Sequence, residues 1–241
     1  VINKLVARYK YGLTATPYRN VKGTEKAVFS LLGKTVIELD KEVIGDRIIP
    51  ATIVKVGTNF NEIPEECENE DGTIKYPLLT TALSENYERN EIILKLLNIC
   101  KNHYTLVLTD RVGQMKYLQK ELGYGNVIDG KTKKDIRENA IQEIREGKEK
   151  VIFATYGLAK EGLDIPRLDR LILASPHRDK ATIIQSVGRI ERKFENKTKP
   201  ICYDLVDSMQ YFQNMYRSRK SYYKKNNNEI VEIEEVTNAK D

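Results

Sequence analysis

Thr105-Leu106-Val107-Leu108-Thr109 is a short β-branched apolar run, and the segments after it fix the fold. An amphipathic segment over Val112–Leu122 comes next, and the alternation then repeats. Apolar runs at Asn126–Ile128, Lys150–Ala154, Arg170–Ala174 and Ile201–Leu205 are separated by helical-period segments near Lys133–Glu146 and Thr182–Glu191, with a last one from Ser208 to about Lys225. Strands alternating with helices of that length imply right-handed crossovers and a mostly parallel sheet covered on both faces. Ser84-Glu85 ahead of Ile92, Ile93, Leu96 and Leu97 signals a further helix start. Residues 46–225 are therefore expected to form one doubly wound α/β domain.

Working outward, residues 1–45 do not fit inside that domain. Tyr11-Gly12-Leu13 reads as a strand ending in the polar loop Thr14-Ala15-Thr16-Pro17, as if it closed another domain. Between Lys55 and Lys75 stand Glu62, Glu65, Glu66, Glu68, Glu70 and Asp71 with no basic residue, so residues 59–77 are expected to be a solvated acidic loop or mobile hairpin rather than a docking element. Tyr216–Lys225 holds five basic residues among tyrosines; Tyr216, Arg219 and Tyr222 at helical spacing more often pack than bind nucleic acid. Residues 226–241 read as a C-terminal tail, with an acidic stretch from Glu229 to Glu235 and a frayed extreme end.

The composition, with 241 residues, 40% hydrophobic and 31% charged, excludes disordered and collagen-like classes. No apolar stretch approaches the roughly 18–20 residues that span a bilayer, and no signal-peptide pattern opens the chain, so a cytoplasmic protein without membrane contact is the expectation. Cys67, Cys100 and Cys202 are far apart, and with only His103 and His177 beside them neither disulfides nor a metal site is signalled. The net charge of +5 is compatible with nucleic acid without arguing for it.

The chemistry concentrates in Gln185-Ser186-Val187-Gly188-Arg189-Ile190-Glu191-Arg192. On a helix Gln185, Arg189 and Arg192 share one face, and Gly188 beside them permits close approach of a backbone or phosphate. Two guanidiniums on one face suit a polyanion or a carboxylate across an interface, although a solvated basic helix is the plainer account of this segment alone. Upstream, Ala154-Thr155 closes an apolar strand, where open α/β sheets bind ligands, and Gly162-Leu163-Asp164-Ile165-Pro166 comes after it. Asp164 suits a local turn, a ribose hydroxyl or an arginine.

Together these segments resemble the helicases of superfamily 2. Thr14-Ala15-Thr16-Pro17 resembles motif III, Leu106–Asp110 motif IV, and Val127-Ile128-Asp129-Gly130 with Arg137 motif IVa. Ala154-Thr155 through Pro166 resembles motif V, and Gln185 to Arg192 resembles motif VI, Q-x-x-G-R-x-x-R. The last two are specific, and the branch with restriction-enzyme motors and phage or repair DNA helicases is the most similar, since Gln185 replaces the His usual in DEAD-box RNA helicases.

The resemblance implies a RecA-like fold, with residues 1–45 the end of a first RecA-like domain and the following domain the second. ATP with Mg2+ would sit between the two. Arg192 and Arg189 would be arginine fingers, Gly162 and Asp164 would adjoin the nucleotide, and Gln185 would report its state. Thr14 and Thr16 would couple hydrolysis to closure. Thr109, Arg111, Gly130, Lys131 and Thr155 would hold a nucleic-acid strand, DNA favoured over RNA.

A phosphate-cradling loop and an Asp-Glu pair are also needed, and no Asp-Glu dipeptide occurs. Gly33-Lys34-Thr35 imitates the end of such a loop, but Val28 stands where its first Gly should be. Gly125–Thr132 matches G-x-x-x-x-G-K-T in full, yet Val127-Ile128 inside it look like a strand, and a turn at Gly130 opening a helix capped by Thr132 is the better account. The chain is expected to be a fragment that hydrolyses no ATP alone. The competing readings are a RecA-like binding or regulatory module without ATP chemistry, and an independent P-loop enzyme built on Gly125–Thr132.

Overall fold

Parallel strands cannot be joined by tight hairpins, and the chain supplies helices for the crossovers. The computed structural model describes residues 6–13, 29–37 and 48–233; Thr14 and Thr16 lie outside them. The chain divides into two units, Val1–Asp46 and Arg47–Asp241. In the first, Tyr11, Gly12 and Leu13 are not in a strand, contrary to expectation. Residues 29–32 are helical and end at Gly33, which takes a φ of 82°. A phosphate loop opens a helix, whereas Gly33-Lys34-Thr35 comes after one, so the imitation is one of letters only.

In the second unit the elements are β1 (Thr52–Thr58), α1 (Tyr76–Glu85), α2 (Tyr87–Ile99), β2 (Thr105–Thr109), α3 (Val112–Leu122), β3 (Asn126–Ile128), α4 (Lys134–Glu146), β4 (Val151–Thr155), α5 (Tyr156–Gly162), β5 (Arg170–Leu173), α6 (Lys180–Ile190), β6 (Ile201–Asp207), α7 (Gln210–Lys225) and β7 (Ile230–Ile233). All strand pairs are parallel, in the order β3-β4-β2-β5-β6-β1-β7. The expected doubly wound α/β sheet is what forms.

Strand residues alternate between two cores. Leu106, Leu108, Ile152, Ala154, Leu171 and Leu173 meet α4, α5, α6 and α7 on one face. Val107, Val151, Phe153, Ile172 and Leu205 meet Ile93, Leu96 and Leu97 of α2 and Met115 and Leu118 of α3 on the other. Burial on both sides is why these strands read as near-continuous apolar runs.

Four expectations need correction. β7 pairs along β1 through Ile53↔Ile230 to Val56↔Ile233, so residues up to Ile233 belong to the sheet and not to a C-terminal tail. The start of α2 is capped by Asn86, whose side chain accepts from Arg89 N at 2.9 Å; Ser84 lies inside α1. The acidic loop is docked: its carboxylates face solvent, but Cys67 is buried with Leu79, Leu83, Phe212 and Met215, and Glu68 bridges Ile74. Finally, α4 begins after Lys133, and Thr132 instead exchanges hydrogen bonds with Asp129 (2.8 and 2.9 Å).

The full G-x-x-x-x-G-K-T pattern is threaded by β3, so Asn126–Ile128 are paired strand and not a phosphate cradle. Its first glycine has a packing reason: Gly125 has φ 101°, and a Cβ there would lie 2.9 Å from Phe153 Cε2 and 3.3 Å from Val151. Gly125→Ala is expected to destabilise the fold by about 1–3 kcal/mol through strain and overpacking, measured by urea unfolding. An unchanged midpoint would show that β3 shifts freely to admit the methyl.

Two buried ion pairs hang on β6. On one face Asp204 accepts from Arg219 Nε and Nη2 at 2.8 Å each and from Tyr223 Oη at 2.9 Å. Three residues on, facing the other way, Asp207 accepts from Arg89 Nε at 2.7 Å and Thr58 Oγ1 at 2.6 Å.

Candidate functional site

Every strand points the same way, so the loops after the strands gather along one sheet edge. The neighbours β3, β4 and β2 release there, in order, Gly130 and Lys131, then Thr155, then Asp110 and Arg111. Gly130 and Lys131 are exposed and Thr155 half-exposed. The turn that carries Lys131 is fixed from below, because Lys131 N donates to Asp129 Oδ1 at 2.9 Å. Those hydrogen bonds, Thr132 first, hold the Asp129 carboxyl below its usual pKa.

Arg111 is half-buried and anchored on α1: its Nε donates to Thr81 Oγ1 at 2.9 Å and its Nη2 to Pro77 O at 2.5 Å. Thr109 departs from the expectation. Its side chain is fully buried, and its hydroxyl donates to Gln114 Oε1 and accepts from Ser175 Oγ at 3.0 Å and from Arg111 N at 3.2 Å. It shapes the turn that presents Arg111, and its hydroxyl is turned into the fold.

The arginine segment lies on α6, capped by Asp179, whose carboxylate accepts from Ala181 N and Thr182 N. Gln185 and Arg189 are one turn apart and both half-buried. Arg189 Nε donates to Ala159 O on α5 at 3.1 Å, and burial lowers its pKa. Arg192 does not share their helix, contrary to expectation: α6 ends at Ile190, and Arg192 forms an antiparallel bridge with Ile48. Its guanidinium pairs with Asp164 at the surface, the two side chains being 41% and 57% exposed.

Asp164 takes a second arginine that sequence spacing did not reveal. Arg145 of α4 donates Nε to Asp164 O at 2.9 Å and approaches its carboxylate at 3.6 Å. Gly162 ends α5 two residues earlier. Another unforeseen partner is Lys197, whose ammonium donates to Arg192 O at 2.7 Å and Pro166 O at 3.0 Å, joining the backbones that carry Arg192 and Asp164; burial lowers its pKa to about 8. Glu191 pins the same corner, accepting from Ala51 N at 3.0 Å and Asn228 Nδ2 at 2.9 Å. No motif pattern marks Arg145 or Lys197, because their hydrogen bonds go to backbone carbonyls, and Arg145's ion pair to Asp164, met only in three dimensions.

Residues 88–193 match the helicase conserved C-terminal domain family. A protein of Acanthamoeba polyphaga mimivirus, named as an ATP-dependent RNA helicase, is 29% identical over 239 residues, covering 93% of this chain and 43% of its own length. The ATP-dependent DNA helicase uvsW of Enterobacteria phage T4 is 24% identical over 224 residues, covering 89% of this chain and 43% of its own length. The chain thus spans less than half the length of these two relatives. The structure of S. cerevisiae Dbp5 bound to RNA and ADP BeF3 has the same fold, with a TM-score of 0.60 at 16% identity over 88% of this chain and 48% of that one.

Proposed function

We propose that this chain carries the C-terminal RecA-like domain of a superfamily 2 helicase and that it supplies the arginine fingers and one half of the strand grip of an ATP-driven nucleic-acid motor. The observation that carries the reading is the surface pair of Arg192 and Asp164. An exposed ion pair contributes only about 0–1 kcal/mol, so exchanging that carboxylate for a phosphate costs little. A guanidinium fork gains more from the doubly charged γ-phosphate of ATP than from one carboxylate.

ATP supplies the phosphoryl group whose transfer drives the cycle, and this chain's part is to bring Arg192 and Arg189 to its charge. The nucleotide's phosphate-cradling loop and Mg2+ ligands are assigned to a first RecA-like domain outside this one. Among the described residues no group of three or more His, Cys, Asp or Glu converges. Relatives named for RNA and for DNA helicases stand side by side, so the proposed track is a single strand held by its phosphates. Arg111, Lys131, Thr155 and the Gly130 backbone are the proposed grip.

The test is ATP turnover by the full-length polypeptide with no nucleic acid, with single-stranded RNA and with single-stranded DNA. Stimulation by one of them supports the motor and names its track; stimulation by neither removes it in favour of a binding module. In the same protein Lys131→Ala is expected to weaken strand binding and to reduce the slope of log K against log salt by about 0.7, one phosphate contact. An unchanged slope would remove Lys131 from the grip.

A further inference from the structure

The loops that lead into β2, β5 and β6 meet at the sheet edge opposite the grip and enclose a cavity of about 380 Å³. Its lining includes Tyr104, Arg167 and Phe194, and the Arg167 guanidinium lies 4.9 Å from the Tyr104 ring centre and 5.0 Å from that of Phe194. Two aromatic rings thus fix a cation in the cavity wall. The buried acid of the lining is already engaged. Asp169 is 5% exposed and accepts from Tyr104 N at 3.0 Å, His103 Nδ1 at 2.8 Å and Thr198 Oγ1 at 2.7 Å. The other carboxylate of the lining, Glu195, is exposed.

Lys197 lines the same cavity. Its Nζ donates to Arg192 O at 2.7 Å and to Pro166 O at 3.0 Å, and both acceptors are carbonyls. Two acceptors take two hydrogens. A neutral amine has two hydrogens and a lone pair, so loss of the third proton can keep both bonds and free the lone pair. Burial favours the neutral form and lowers the pKa to about 8; Asp169 and Glu191 oppose that shift, and Arg192 adds to it. A half-buried amine held in place beside a cavity has the makings of a nucleophile.

We propose that Lys197 is an acylation site for small acyl phosphates, with Arg167 receiving the phosphate and the Lys197 amine attacking the acyl carbon. The C–N bond forms as the bond from the acyl carbon to the phosphate oxygen breaks; inorganic phosphate leaves, and the amine's proton passes to water. On the motor reading of this chain the modification also bears on the arginine finger. An amide nitrogen keeps one hydrogen, so either Arg192 O or Pro166 O loses its donor. The tie between the backbones that carry Arg192 and Asp164 is then broken.

The test is acetyl phosphate applied to the full-length protein and read lysine by lysine by mass spectrometry. Near neutral pH, Lys197 is expected to acetylate about tenfold faster than the exposed Lys193 and Lys199, with a rate that levels off above about pH 8 as the amine becomes fully neutral. A Lys197 rate no greater than theirs would overturn the site. Arg167→Gln should slow acetyl phosphate at Lys197 about tenfold and leave uncharged acetic anhydride within about twofold. An equal change with both reagents would overturn the role of Arg167. Strand-stimulated ATP turnover should fall in step with occupancy of Lys197, by about tenfold when the site is full, while Lys197→Arg treated alike should keep its own untreated rate. Equal inactivation of Lys197→Arg would overturn the tie to the finger. If the untreated wild type is stimulated by neither RNA nor DNA, the motor reading fails and the tie with it, while the acetylation rates still uphold or overturn the site.

Discussion

Arg219→Ala is expected to destabilise the domain by about 3–5 kcal/mol, as removal of one partner of a buried ion pair does. Asp204 is 1% exposed and would keep only the Tyr223 hydroxyl, at 2.9 Å, for its charge. In the intact protein, burial works against the Arg219 charge and Asp204 more than offsets it, so the guanidinium's pKa is raised. His177 O would lose its donor too. For a domain of this size the loss should lower Tm by about 10 °C. Replacing both charges, as in Arg219→Met/Asp204→Asn, should recover part of the loss, because no unpaired carboxylate remains. Thermal unfolding of the three proteins is the measurement, and an Arg219→Ala midpoint within about 2 °C of wild type, less than 1 kcal/mol, would mean that water reaches Asp204.

The central strands were legible because a strand covered on both faces must be apolar at nearly every position, as Leu106-Val107-Leu108 and Ile152-Phe153-Ala154 are. The sheet's far edge was not. Glu229 and Glu232 make the last segment look like a solvated tail, yet they serve β7: Glu232 meets Lys55 at 3.2 Å and Lys220 at 2.7 Å, while Glu229 accepts from Thr52 and Lys199. Neighbouring β1 was obscured in turn by Lys55 in mid-run. Pro77 stands in the first turn of α1, where no N–H is missed. At the proposed site, a local pattern singles out Arg189, Arg192 and Asp164. It placed Arg192 on the helix face because nothing local shows that α6 ends at Ile190. Arg145 lies 19 residues from Asp164 and Lys197 lies 31 from Pro166, and no periodicity records such contacts.

Arg192→Ala in the full-length protein is expected to cut strand-stimulated ATP turnover by about 10³-fold or more, the usual range for loss of an arginine finger. Stability should hardly move, because its partner pair is exposed and contributes about 0–1 kcal/mol. That separation of large kinetic loss from small stability loss is what makes Arg192 the informative position. Arg189 is half-buried with its Nε on Ala159 O, so its removal would disturb the α5–α6 packing as well as any phosphate contact. Arg192→Lys keeps a charge but loses the planar fork, and should recover only part of the rate. Asp164→Asn tests the exchange from the other side. If Asp164 only parks the finger between turnovers, the variant should lose far less than Arg192→Ala; an equal loss would give the carboxylate a role at the nucleotide itself. Single-turnover measurements at saturating ATP read the chemical step directly, and a rate within tenfold of wild type for Arg192→Ala would remove the finger assignment.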